Sequence, residues 1–129
     1  MKIEHIAIWT HNLEDLKDFY INYFDGICGE KYINSKKRFQ SYFIEFEDGS
    51  RLELMQMDSI VSNITDISKQ YTGINHIAFS VGSKTKVDEL TNKLEIDGFN
   101  IINLPRTTGD GYYESCFTDI DGNRIEITI

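Results

Sequence analysis

Apolar and polar residues alternate along residues 2–10, and this period-two pattern predicts a β-strand. Apolar residues then recur at helical spacing over 13–24, and Asp25-Gly26 predicts the end of that helix, with Asn12 as its N-cap. Strand-like runs follow at 30–33, 38–47 and 51–56, the last two separated by a turn at 47–50. The order predicted for this half is β-α-β-β-β.

The second half repeats this plan after a linker at 57–72, in which the pattern weakens and a short helix is expected. A strand is predicted over 74–81 and a helix over 84–95, with Asp97-Gly98 as its end. A strand over 100–104 ends at Pro105, and a polar, flexible loop of a kind that often closes over ligands follows at 106–111. Tyr112-Tyr113 then opens the next strand.

The two halves are diverged copies of one module. Ile3, His5, Ile6 and Ala7 recur in the same order as Ile74, His76, Ile77 and Ala78, and the segment 48–54 likewise matches 121–127. Each copy contributes one histidine near its start and one glutamate near its end. We therefore expect one domain over 1–129, with internal modules at about 1–57 and 73–129.

An ionisable residue duplicated inside an apolar strand costs stability unless it has a partner, and one shared metal ion would serve all four residues. Strand alternation turns Glu53 and Glu126 away from the helix-side core, and it does the same for His5 and His76. If the sheets of both halves curve into one barrel, the four side chains point into one concave space. Two nitrogen and two oxygen donors suit a divalent ion such as Zn²⁺, Ni²⁺, Co²⁺, Mn²⁺ or Fe²⁺.

A simpler interpretation treats both histidines as hydrogen-bonded core residues and the glutamates as outer-face partners of Arg51 and Arg124. It would be preferred for any one of these residues alone, whereas their duplication favours the metal site. His11, at the junction of the first strand and helix, has no counterpart in the second half, and we expect it to be an exposed loop residue.

Composition limits the classes of partner. The formal net charge of −8 argues against nucleic acid, because affinity for phosphate backbones comes from clustered Lys and Arg. No apolar run approaches the roughly 20 residues of a membrane span, and no secretion signal is recognisable, so we expect a cytoplasmic protein without membrane contact. Cys28 and Cys116 are accordingly expected to be reduced thiols.

The paired segments IEHIAI and INHIAF, together with RLELM and DGNRIEIT, resemble the vicinal oxygen chelate superfamily, which includes glyoxalase I. The resemblance covers essentially the whole chain. It implies an α+β fold in which two βαβββ modules form curved mixed sheets around a metal-binding cavity, in a homodimer. It also implies a small-molecule substrate that chelates the metal through adjacent oxygens, and it implies as metal ligands His5, Glu53, His76 and Glu126.

The function implied is that of a metal-dependent lyase or isomerase that moves a proton next to a carbonyl. Glu53 and Glu126 would be its acid/base pair, and the sequence leaves open which of them leads. Bacterial glyoxalase I usually carries an arginine four residues after its first histidine and an asparagine four after its first glutamate, where this chain has Trp9 and Met57. Glutathione recognition is therefore not implied. We expect Trp9, Met57 and Tyr113 to line the substrate pocket.

Two other classes stay open. A metal-dependent dioxygenase would resemble extradiol enzymes, which usually use two histidines and one carboxylate, so the presence of Glu53 counts against it. A non-catalytic binder would resemble the bleomycin-sequestering proteins, which share the fold and generally lack the metal ligands. Retention of all four candidate ligands disfavours this second class.

Overall fold

The computed structural model describes residues 1–129, and the chain divides into two compact units, Met1–Ile64 and Thr65–Ile129. The boundary falls inside the predicted linker, where turns replace the short helix expected there. Each unit holds one helix and one open mixed sheet, which confirms the predicted α+β class and its paired modules. Neither helix is long and apolar enough to cross a membrane.

The first unit packs one helix against a five-stranded sheet. Its elements are β1 His5–Trp9, α1 Leu13–Phe24, β2 Ile27–Cys28, β3 Tyr32–Asn34, β4 Phe39–Glu45 and β5 Arg51–Met57. The sheet order is β1-β5-β4-β2, with β3 paired to β4. β1 and β5 are parallel, and the other pairs are antiparallel. The predicted strand at 30–33 is replaced by two short strands, β2 and β3.

The second unit has the same plan with four strands. Its elements are β6 Ile77–Ser80, α2 Lys84–Ile96, β7 Ile101–Thr107, β8 Tyr113–Thr118 and β9 Arg124–Thr128. The sheet order is β6-β9-β8-β7. The first and last strands, β6 and β9, are again parallel neighbours, while the remaining pairs are antiparallel. The predicted strand over 74–81 is shorter in the structure, because residues 73–76 precede the ladder.

β7 differs from its predicted form because it continues through Pro105. β7 is an edge strand paired only with β8, and the ladder shifts register between Asn103 and Arg106. A proline at such an irregularity on an edge removes no hydrogen bond that the sheet needs. Arg106 and Thr107, which were predicted to begin a loop, therefore lie in the strand.

The helices lie close to their predicted positions. The side chain of Asn12 makes no capping bond, but α1 ends as predicted, at Asp25 in the left-handed region (φ 53°). Gly26 follows where a Cβ would approach Cγ2 of Ile44 to 2.6 Å, so only glycine fits without a shift of its neighbours. α2 begins at Lys84, and the hydroxyl of its N-cap, Ser83, accepts a hydrogen bond from the backbone N–H of Lys86 (3.2 Å).

The two helix-side cores decide which sheet residues remain available for chemistry. Leu52 and Leu54 of β5 are buried, as are Ile125 and Ile127 of β9. Since successive residues of a strand point to opposite faces, the residue between each buried pair lies on the face away from the helix. That residue is a glutamate in both units.

Candidate metal site

In the first unit, the parallel pairing of β1 with β5 brings His5 and Glu53 onto one face of the sheet. Ala7 lies opposite Glu53 and His5 lies opposite Arg51, so His5 is the diagonal neighbour of Glu53. The Nε2 atom of His5 is 3.8 Å from Oε2 of Glu53. The glutamate side chain is 17% exposed and the histidine 40%, which leaves the imidazole open to a ligand.

The second unit repeats this diagonal. Ala78 of β6 lies opposite Glu126 of β9, and His76 comes two residues before Ala78, as His5 comes before Ala7. Nε2 of His76 is 3.2 Å from Oε2 of Glu126. Burial raises the pKa of Glu126, while the nearby His76 acts to lower it. The duplicated residues of the sequence thus occupy duplicated positions in the fold.

The separation of the donor atoms tests whether each pair could hold a metal. Two ligand atoms about 2.1 Å from one ion, at roughly 90–110° to each other, lie about 3.0–3.4 Å apart. The His76–Glu126 distance falls in this range, and the His5–Glu53 distance is a few tenths of an ångström wider. The structure contains no group of three or more His, Cys, Asp or Glu side chains placed to hold an ion. Each unit therefore brings together one nitrogen and one oxygen donor, and the separation in the second unit is the one that matches two ligands of a single ion.

The arginines beside the glutamates have other partners. Arg51 forms an ion pair with Glu4, and Arg124 donates to the backbone carbonyl of Ile67. Neither arginine bonds to Glu53 or Glu126, so the interpretation of these glutamates as arginine partners is wrong. The only basic side chain in contact with each glutamate is the histidine of its own unit.

The residues around His5 were not found from the sequence. Glu4 bonds to Nδ1 of His5, and this bond is the main cause that lowers the pKa of Glu4, with Arg51 second. The ring of Phe43 lies edge-on to His5 at 5.5 Å between centroids, and Phe43 is directly opposite Glu53 in the β4–β5 ladder. Register between strands, which periodicity does not reveal, places these groups together.

The surroundings of Glu126 are different. Cys116 lies opposite Glu126, and burial raises the pKa of its thiol to about 11. Arg106 and Glu114 form an ion pair on neighbouring strands with a separation of 3.6 Å. Cys28 and Cys116 are both free thiols, the first half-buried and the second buried.

Two of the three predicted pocket residues share the face of Glu53. Trp9 is 45% exposed and packs edge-on against Phe39 at 5.9 Å, and Met57 lies opposite Phe39. Tyr113 lies on the other face of its sheet, because its hydroxyl donates to Asp88 of α2 (2.7 Å) and this bond raises its pKa. Tyr113 therefore points away from the face that carries Glu126.

His11 is exposed, and its backbone carbonyl accepts a hydrogen bond from Gln56 (3.0 Å). Its side chain makes no bond. This placement agrees with the expectation that His11 is an exposed loop residue.

Comparison with known proteins decides the family. The model of the Glyoxalase/Bleomycin resistance protein/Dioxygenase superfamily matches residues 2–127. The chain belongs to this superfamily. The resemblance inferred from the paired His and Glu segments is thereby confirmed, although the superfamily includes proteins of several activities.

Individual relatives match this chain either over less than half of its length or at low sequence identity. The "Uncharacterized protein YqjT" of Bacillus subtilis (strain 168) is 36% identical over 58 residues, which are 43% of this chain and 45% of the relative. A glyoxylase/bleomycin resistance protein/dioxygenase domain from Frankia sp. EAN1pec superposes with a TM-score of 0.82 at 18% identity, over 100% of this chain and 97% of its own. Glyoxalase I from Zea mays gives 0.79 at 19% identity, over 98% of this chain and 44% of the maize chain. At these identities the two structures show a shared fold alone.

Proposed function

We propose that this chain is a metal-dependent lyase or isomerase that moves a proton next to a carbonyl of a small substrate. The observation that supports it is the repeated diagonal of His5 with Glu53 and of His76 with Glu126. In this proposal the two pairs supply the four ligands of one divalent ion, drawn from one chain or from two chains of a homodimer. The bound ion would supply a Lewis acid for two adjacent oxygens of the substrate.

The glutamates have a second task in this proposal, which is to hold and move the proton. A carboxylate near the substrate carbon can accept a proton from it and return the proton to the neighbouring carbon. We assign Glu126 and Glu53 together as the acid/base pair, because each lies beside the histidine of its own unit and their side chains are similarly exposed, at 20% and 17%.

The apolar side of the proposed pocket comes from the first unit. Trp9, Phe39 and Met57 lie on the face that carries His5 and Glu53, and the small Ala7 separates the histidine from the tryptophan along β1. This surface suits an uncharged portion of a substrate next to its chelating oxygens. The same aromatic residues support a second candidate, a non-catalytic small-molecule binder of the bleomycin-resistance type.

Solvent exchange distinguishes the two candidates. The protein, loaded in turn with Zn²⁺, Ni²⁺, Co²⁺ and Mn²⁺, is incubated in D₂O with a panel of α-hydroxycarbonyl and 2-oxo compounds, and loss of the proton next to the carbonyl is followed by NMR. We expect catalysed exchange for at least one compound, its loss in Glu126→Gln, and its retention in Tyr113→Phe, whose side chain lies on the opposite face. Tight binding of a panel compound without any exchange would support the binder instead.

A further inference from the structure

His5 and His76 differ in the side chains that contact their imidazole rings. In the first unit, Nδ1 of His5 bonds to Glu4, and the other oxygen of that carboxylate bonds to Arg51. The Arg51 guanidinium lies over the Phe43 ring at 4.3 Å, and the Phe43 ring lies edge-on to His5. These contacts link four residues into a closed network that includes the imidazole: Glu4, His5, Phe43 and Arg51.

Glu4 is held in place although its side chain is exposed. The backbone N–H of Arg51 donates to the carbonyl of Glu4 (3.2 Å), and the hydroxyl of Ser50 donates to the carbonyl of Ile3 (2.7 Å). The residues before β1 are therefore tied to the start of β5. This attachment places the Glu4 carboxylate between the two groups that it bonds.

The second unit lacks an equivalent network. Asn75 stands where Glu4 does and makes no hydrogen bond to His76, and Cys116 takes the position opposite Glu126 that Phe43 takes opposite Glu53. Arg124, the counterpart of Arg51, donates instead to the carbonyls of Ile67 and Lys69. Nδ1 of His76 is thus without a protein partner.

We infer that Glu4 is a positioning residue that fixes the tautomer and ring orientation of His5, so that Nε2 presents its lone pair toward the side of Glu53. The inference rests on the proposed metal site. A carboxylate accepts but does not donate, so its bond to Nδ1 requires the proton there and leaves Nε2 free to bind a metal. The edge of Phe43 restricts rotation of the ring, and Arg51 holds the carboxylate and packs on Phe43.

The consequence is an asymmetric metal site. His5 would be prepared for the ion before it arrives, whereas His76 would select its tautomer and orientation on binding. Partners of this kind behind a ligating histidine typically change metal affinity by about 10–100-fold when removed. We therefore expect most of the preorganisation of the site to come from the first unit, through a residue that never touches the ion.

The first test needs no metal and no activity. Two-bond proton–nitrogen correlation spectra of the metal-free, ¹⁵N-labelled protein, recorded at mildly alkaline pH where imidazole is neutral in model peptides, identify which ring nitrogen carries the proton. We expect His5 to be a single tautomer with its proton on Nδ1 in the wild type, and a mixture in Glu4→Ala. Glu4→Gln, which keeps an acceptor oxygen but no charge, should retain part of the preference. Identical tautomer populations in wild type and Glu4→Ala would overturn the inference.

The second test is the affinity for Zn²⁺, measured by competition with a chromophoric chelator. Glu4→Ala should bind Zn²⁺ about 10–100-fold more weakly than the wild type, with Glu4→Gln between them. The matched control, Asn75→Ala at the equivalent position before His76, should bind like the wild type. Equal affinity of Glu4→Ala and wild type would overturn this inference alone. Failure of the wild type to bind any of the four metals would overturn the proposed function, and this inference with it.

Discussion

Nε2 of His76, the residue that precedes β6, lies 3.2 Å from Oε2 of Glu126 on the parallel strand β9, and His5 and Glu53 repeat this diagonal in the other unit. The ladder of β6 with β9 begins at the next residue, Ile77, so the sheet fixes Glu126 and the backbone directly after His76. Sites supported by strands hold their ligands more accurately than sites on loops. Because the same diagonal occurs in both units, we assign the same role to the two His–Glu pairs.

A buried hydroxyl pair in the second unit allows a test of the core. Oγ1 of Thr91 donates to the carbonyl of Val87 (2.6 Å), so its contact with Oγ of Ser115 (2.6 Å) requires the serine to donate. Thr91→Val leaves the buried Ser115 hydroxyl without an acceptor, and we expect the free energy of unfolding to fall by about 1–3 kcal/mol. Ser115→Ala should cost less, because Thr91 keeps its bond to Val87.

Urea unfolding followed by circular dichroism measures both effects, with the exposed Thr72→Val as the matched control. A larger loss for Ser115→Ala than for Thr91→Val would contradict the donor assignment.

Glu14 on α1 should make stability depend on pH. Its bonds to Lys17, and secondly to Lys31, lower its pKa from 4.5 to about 2. Because the pKa is depressed in the folded state, the stabilisation is present above the unfolded value of 4.5 and disappears as the pH falls through about 2. The side chain is half exposed, so solvent screening limits the effect to at most about 1 kcal/mol.

Denaturant unfolding of wild type and Glu14→Gln over this pH range checks the expectation. The stability difference should shrink as the solution is acidified. The control is Glu89→Gln, an exposed residue of α2 without an ion pair, whose difference from wild type should stay flat. A difference for Glu14→Gln that is independent of pH would show that the two lysines do not stabilise its charge.

The sequence predicted both helices because their buried residues recur at helical spacing, and it predicted the face of Glu53 and Glu126 because leucines and isoleucines alternate with them. It could not predict the path of β7 through Pro105, which depends on the edge position and register shift of that strand. Tyr113 was predicted to line the pocket, but its hydroxyl bonds to Asp88 of α2, a contact that the polar loop before β8 gives no means of predicting. Glu4 was overlooked, since adjacent strand residues normally point to opposite faces and its contact with His5 depends on Arg51.

We predict that the protein is a homodimer. The family resemblance motivates this, as does the edge position of β1 and β6, each of which pairs with one other strand of its sheet. Ile3 and Ile74, which precede these strands at duplicated positions, are both largely exposed. Sedimentation at micromolar concentration should give a dimer, and Ile3→Lys/Ile74→Lys should shift it toward monomer.

Ile96→Lys, at an exposed position at the end of α2, is the matched control and should remain dimeric. A wild-type protein that sediments as a monomer at every concentration would count against a site shared between chains.

Activity should not depend on glutathione. The positions that carry arginine and asparagine in bacterial glyoxalase I hold Trp9 and Met57, which lie beside Phe39 and offer no charge to the carboxylates of glutathione. The metal-loaded protein should turn over the hemithioacetal of methylglyoxal and glutathione slowly or not at all, and Trp9→Arg/Met57→Asn should raise the rate. Robust wild-type turnover that Glu126→Gln abolishes would identify a glutathione-dependent enzyme instead.

Metal content tests the central claim most directly. Protein purified without chelators is subjected to elemental analysis beside His76→Ala, which removes one of the four proposed donors, and Tyr113→Phe, which removes none. We predict about one divalent ion per chain in the wild type and in Tyr113→Phe, and almost none in His76→Ala, because three remaining donors leave a weak site. Equal, near-zero metal in all three proteins would contradict the account.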